Sequence, residues 1–333
     1  MKICVVGAGA IGGLLAAKLA AIGEDVTVIV RGRNLEAVRA NGLRLLMDGA
    51  ETVARVRATD RIADAGPQDV VVLGMKAHQV PAVAPDIPSL LHADTMVVTA
   101  QNGVPWWYFM KHGGPHEGRR LESVDPGGVV AASIPVDRVV GSIVYVAAEM
   151  EAPGVVRHVE QNRFTLGELD GAETERVQRL AELLRSAGFR APIARSIRDE
   201  IWVKLWGNCT FNPISALTHA TLVDICRFPE TRALAAAMMA EAQKVGEALG
   251  VEFKIPIDKR IAGAEAVGAH KTSMLQDVEA GKPIELEALL GAVLELGRIA
   301  GVDTPHLTAV YGLARLLAKT IGEAGSGLRF AAG

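Results

Sequence analysis

Gly7, Gly9 and Gly12 stand in the segment GAGAIG, between an apolar run from Lys2 to Val6 and a helical pattern from Ile11 to Ile22. Backbone without side chains at a tight strand-to-helix turn lets N–H groups approach a pyrophosphate, and the positive end of the helix dipole favours the anion. Gly7, Ala8, Gly9, Ala10, Ile11 and Gly12 therefore form a candidate cradle for a dinucleotide; a bare tight turn is the alternative. Past the second strand, Arg31 and Arg33 occupy the place where an acidic residue would accept from a ribose 2′-OH. Cations there suit a 2′-phosphate and point to NADP(H) over NAD(H), unless the two arginines only solvate a loop.

Lys204, Asn208 and Asn212 recur at every fourth residue of EIWVKLWGNCTFNP, which lays them along one helical face amid Ile201, Trp202, Leu205 and Phe211. Asparagine is a poor helix former, so the row is either a solvated stripe or the polar lining of a cleft. Pro213 predicts a kink or a helix end beside these amides. A lysine so placed could protonate a carbonyl oxygen as hydride arrives, and partial burial would lower its pKa toward the working pH. Lys76 and Asn102 lie just past two strand ends, where open parallel sheets bind ligands; a surface lysine and an Asn-Gly turn explain them equally well. Ser273 with Gln276 reads as a capping box opening a helix from Met274 to Ala280, with a hydroxyl still able to face a ligand. Pro283 suits the first turn of the next helix and would put Glu285 near its favourable dipole end.

The elements that must position these groups change character along the chain. Asp25 to Val30, Asp69 to Leu73 and Thr95 to Thr99 follow the first strand at crossover spacing, which predicts an α/β, Rossmann-type, doubly wound parallel sheet. Val139 to Ala147, Gly154 to Val159 and Arg163 to Gly167 are too closely spaced for helices between them and extend the sheet as antiparallel strands. Glu173 to Ala187 reads as a helix and Arg190 to Ile193 as a last short strand. From Ser196 helix follows helix, punctuated by Pro213, Pro229, Pro256, Pro283 and Pro305. The expected division is residues 1–195, an NADP-binding domain, and 196–333, an all-α domain carrying the substrate and catalytic groups.

Composition agrees with two domains, since 333 residues exceed the soft prior of about 150 per domain. The 35 Lys and Arg are interspersed with 38 Asp and Glu, so no basic stripe exists for nucleic acid. The most apolar stretches, Val70 to Leu73 and Ala233 to Ala240, fall well short of the roughly 20 residues of a membrane span. No secretory leader is read at the amino terminus. Cys4, Cys209 and Cys226 are odd in number and scattered, which suits a reducing cytoplasm and suggests neither a disulfide framework nor a zinc site. His112 and His116 have no third ligand arranged with them, so no metal is expected. The helical half could form a homodimer through apolar faces that its own core also needs.

Taken in order, GAGAIG with Arg31, MKAHQV, QNG, RDEIWVKLWGNCTFNP, TSMLQDV and GKPIELEALLG resemble the motifs of the ketopantoate reductases over nearly the whole chain. The resemblance implies NADPH-dependent reduction of a small 2-oxo acid, 2-dehydropantoate, to (R)-pantoate on the way to pantothenate and coenzyme A. It implies that Lys204 donates the proton, that Asn208, Asn212 and Ser273 hold the substrate, and that Asn102 touches substrate and cofactor. Lys76 and Glu285 would lie along the cofactor and Arg31 would meet the 2′-phosphate. The stretch from Val104 to Gly128, with Trp106, Trp107, Tyr108 and Phe109 together, looks like an insertion relative to shorter family members. These aromatics would pack on the sheet edge, line an enlarged pocket or form a subunit contact. Two further readings stand beside the first: an NADP-dependent reductase of another bulky or aromatic 2-oxo acid, and a non-catalytic NADPH-binding redox sensor. Lys204 with its asparagine face argues against the sensor.

Overall fold

Strands that are apolar at nearly every position, rather than at alternate ones, belong in a sheet covered on both faces. Nine strands form one sheet among the described residues: β1 (Lys2–Val6), β2 (Asp25–Ile29), β3 (Leu43–Met47), β4 (Ala50–Ala54), β5 (Arg57–Thr59), β6 (Val70–Leu73), β7 (Met96–Thr99), β8 (Val139–Ala152) and β9 (Val155–Gly167). The computed structural model describes Met1–Leu328. One compact unit comprises Met1–Gln101 with Pro105–Glu200, the other Asn102–Val104 with the chain from Ile201 onward.

The sheet order is β4-β3-β9-β8-β7-β6-β1-β2-β5. The neighbours from β8 through β7, β6, β1 and β2 to β5 are all parallel, the doubly wound arrangement expected from strand-helix alternation. β8 pairs antiparallel with β9 but parallel with β7, so only one of its edges matches the expected direction. The two short strands expected from Gly154 to Gly167 are one, because β8 offers a continuous partner and register shifts absorb the irregularity between them. Arg190 to Ile193 is not a strand; it makes only isolated bridges, Arg190 to Arg163 and Ile193 to Leu166. β3, β4 and β5 have no counterpart among the expected strands, since β4 is exposed at four of its five positions and carries no apolar run to detect.

The aromatic stretch is part of the first unit's interior. Trp106, Trp107, Tyr108 and Phe109 are at most 6% exposed. The Trp107 indole N–H donates to Thr99 Oγ1 at 3.1 Å, and its ring fits against Gly141, where a Cβ would lie 3.0 Å from it. Tyr108 and Phe109 meet edge to face with centroids 5.0 Å apart. Arg198 holds the backbone by donating to the carbonyls of Tyr108 at 2.7 Å and Met110 at 2.6 Å. Packing, not pocket lining, accounts for these four side chains.

The second unit is helical, with long helices at Pro229–Ala248 and Pro305–Ala324 and the greater part, from Ile201 on, of the helix Ile197–Thr218. The helix Ile197–Thr218 passes through Pro213, so of the kink or helix end expected there the end does not occur. Proline removes one hydrogen bond, but Phe211, Ile214 and Ala216 are buried around it and tertiary packing sustains the helix. No described helix is long and apolar enough to cross a membrane.

Candidate active site

In the first unit, the glycine turn is enforced by close backbone approach. Gly7 has φ +90°, and a Cβ there would lie 2.8 Å from the backbone N and the Cβ of Met75. A Cβ on Gly12 would overlap the Gly7 carbonyl, and one on Gly74 would lie 2.9 Å from that same oxygen. β1 and β6 thus enter their loops almost in contact, tied by Gly74 N–H to Val6 O at 2.9 Å, while Gly7 N–H donates to Ile29 O at the end of β2 at 3.0 Å. Gly9 differs: a Cβ there would meet nothing within 4 Å. Gly9 is the N-cap of the helix Ala10–Ala21, whose first turn carries no acidic residue. An open, electropositive helix start at a side-chain-free turn fits a pyrophosphate.

Arg31 is exposed at the N-cap of the helix Gly32–Asn41, again without an acidic residue in the first turn, so its position fits a phosphate group. Lys76 is half-buried after β6, and its backbone N–H donates to Gln79 Oε1 at 3.1 Å as a short helical turn begins. Sequence reasoning missed two residues of this region. Gly74 supplies the third backbone approach, and Gln101 braces the β6 loop by donating from Nε2 to the carbonyls of Leu73 at 2.5 Å and Met75 at 3.3 Å. The glycine in GMKAHQV is a usable signal for the first; nothing local points to the second.

In the second unit, three of the expected residues converge. Lys204 Nζ donates to Asn102 Oδ1 at 2.6 Å, and Asn102 Nδ2 donates to Glu285 Oε2 at 3.4 Å. The amide therefore stands between an ammonium and a carboxylate, its two ends matched to their charges. Burial pushes the Lys204 pKa down to about 8, and the Glu285 charge opposes part of that shift. Asn208, half-buried, and Asn212, buried, continue along the helix that carries Lys204. Ser273 is exposed and is not the cap of its helix; Thr272 is, accepting from Leu275 N–H at 3.3 Å. The capping explanation for Ser273 falls away, leaving its hydroxyl uncommitted to that role. Pro283 and Glu285 precede the next helical run, which starts at Leu286, so Glu285 is not held in a first helical turn by Pro283. That run opens with a π-turn over Glu287–Gly291, beside which Gly103 sits at φ +88°. Neither is foreseeable from QNG, which reads only as a possible turn.

The arrangement comprises a dinucleotide-type turn with a nearby cation, and an ammonium of lowered pKa held by an amide and a carboxylate. Comparison with known proteins gives a consistent answer. Residues 3–171 match the family model for ketopantoate reductase PanE/ApbA, and residues 196–318 match its C-terminal counterpart. The 2-dehydropantoate 2-reductase of Mesorhizobium japonicum is 56% identical over 319 residues, covering 96% of this chain and 98% of that one. A Ralstonia solanacearum crystal structure, provisionally named a ketopantoate reductase, superposes with TM-score 0.93 at 43% identity, covering 96% of this chain and 98% of that chain. The PanE/ApbA family ketopantoate reductase of Ralstonia eutropha gives TM-score 0.83 at 26% identity, with 97% and 100% covered.

Proposed function

The chain belongs to the ketopantoate reductase family, and we propose that it reduces 2-dehydropantoate to (R)-pantoate with NADPH, Lys204 being the proton donor. The observation that carries this reading is the half-buried Lys204 ammonium on Asn102 Oδ1 at 2.6 Å, because a reductase needs an acid at the carbonyl oxygen and a sensor does not. The turn Gly7–Gly12 would hold NADPH, with Arg31 at its 2′-phosphate, and the bound cofactor would supply hydride for the keto carbon. Lys204 meets the charge growing on the keto oxygen and delivers its proton there. Asn208, Asn212 and Ser273 donate to the carboxylate and hydroxyl ends of the substrate, and Lys76 lies along the cofactor. Glu285 holds Lys204 in its charged form. A homodimer completes the proposal; the Staphylococcus aureus ketopantoate reductase, described as dimeric, shares the fold with TM-score 0.73.

NADPH absorbance followed with ketopantoate and with phenylglyoxylate, and NADH as the control cofactor, tests the assignment. Rapid oxidation of NADPH by ketopantoate is expected. Tight NADPH binding without turnover of either acid would leave the sensor reading in its place. The aromatic 2-oxo acid reading gains nothing from Trp106 to Phe109, whose side chains are spent in the first unit's core.

Two further results are expected from the same assay. Turnover requires the Lys204 ammonium, so activity should be full at neutral pH and fall as pH rises through about 8, where that group loses its proton. Glu285→Gln removes the charge that favours the ammonium, and the alkaline limb should move to lower pH by about one unit; an unmoved limb would separate Glu285 from Lys204. Arg31→Ala should raise the KM for NADPH by about tenfold to a hundredfold, the loss of one charge-assisted contact. The KM for NADH should stay within about twofold, and an equal rise for both cofactors would remove Arg31 from the 2′-phosphate.

A further inference from the structure

Asn102 is useful to Lys204 only if its amide is aimed, and the geometry of the second unit shows what aims it. The segment Asn102–Val104 belongs to the compact unit that contains the helices rather than to the sheet it follows. Its anchor is a backbone hydrogen bond, Val104 N–H to Ala288 O at 2.8 Å. A carbonyl inside an α-helix ordinarily accepts from the N–H four residues on. Here the chain forms a π-turn over Glu287–Gly291, and the N–H of Ala292 donates instead to Glu287 O, five residues back. Ala288 O is thereby open to Val104. π-Turns are rare, cost regular hydrogen bonding and recur at functional sites.

Gly103 makes the docking possible. Its φ of +88° lies in the region that favours glycine, and a Cβ there would overlap the Ala288 carbonyl oxygen and stand 2.6 Å from the Ala288 carbonyl carbon. The same Cβ would stand 2.9 Å from Ala288 Cβ. We propose that Gly103 is a positioning residue, letting Asn102–Val104 dock on the π-turn at Ala288 so that the Asn102 amide is held between Lys204 and Glu285. Gly103 touches none of the reacting groups in this role and acts through Asn102. The inference rests on the reading of Lys204 as the acid of a reductase.

The test is Gly103→Ala alone and combined with Asn102→Ala, with Ala288→Val in parallel. Ala288→Val crowds the same contact from the helix and leaves residue 103 unchanged, so a poorly folded Gly103→Ala does not decide the matter. Both single variants should lower kcat by about tenfold to a hundredfold, as expected when a catalytic group is misplaced by roughly an ångström. The KM for NADPH should rise by less than kcat falls, because the glycine turn lies in the other unit and is left intact. Gly103→Ala added to Asn102→Ala should cost nothing further, since the group it positions is already gone. Unchanged kcat in both single variants, or losses that multiply with Asn102→Ala, would overturn the assignment while wild-type turnover persists. Absence of wild-type turnover would instead defeat the underlying reading of the reaction.

Discussion

Replacing Lys204 by Ala should lower kcat with ketopantoate by a factor of about 10² to 10⁴, the span associated with loss of a general acid, with NADPH binding little changed. The magnitude follows from what remains in the variant. Asn102 and Glu285 keep their own contact at 3.4 Å, but neither replaces the ammonium: the amide is no acid, and the carboxylate repels charge growing on the keto oxygen. The remaining alkaline limb is diagnostic as well. The fall in activity expected near pH 8 is attributed to the Lys204 ammonium, and on that assignment it should vanish from the residual rate of the variant. Single-turnover kinetics with NADPH bound in advance separates this from a binding defect. A kcat within about threefold of wild type would end the assignment of Lys204 as acid.

The second large effect is expected at the glycine turn, where two neighbouring glycines should respond differently to the same methyl group. Gly12→Ala places a Cβ on the Gly7 carbonyl oxygen and 3.1 Å from Val5 Cγ1, so the turn must open. Overpacking of that kind costs about 1 to 3 kcal/mol, and a cradle distorted to that extent should bind NADPH about tenfold to a hundredfold more weakly. The melting temperature should fall with it. Gly9→Ala meets no protein atom within 4 Å, so the fold should be as stable as wild type. NADPH binding should nonetheless weaken, because the space that Gly9 leaves open is where the pyrophosphate is proposed to lie. Calorimetric titration of NADPH beside thermal unfolding separates the two cases. Wild-type NADPH affinity in Gly9→Ala would remove the phosphate from this turn.

A shared role for Gly9 and Gly12 is legible in the spacing of GAGAIG, but the difference between them is not. Sequence spacing identifies a turn without side chains; only the placement of Gly7 O and Val5 says which glycine is crowded and which faces open space. Ser273 and Thr272 make the same point. Both can cap a helix, and the choice of Thr272 depends on where the chain enters the turn.

Within the sequence itself lies everything governed by short-range periodicity: the strand-turn-helix of GAGAIG, Arg31 after the second strand, the row from Lys204 to Asn212 on one helical face, and the change from alternating strands and helices to helices alone. Those features depend on repeats of 2 and 3.6 residues and on turn chemistry, which neighbouring residues determine. Tertiary structure alone decides that Lys204 meets Asn102, 102 residues away, and that Asn102 meets Glu285, 183 residues away. It also decides that the Trp106 to Phe109 stretch is core and that Ala288 accepts a bond from Val104. A π-turn has no periodic signature, and the pairing of distant segments is set by which buried surfaces and backbone groups can be satisfied together, a condition that no local window contains.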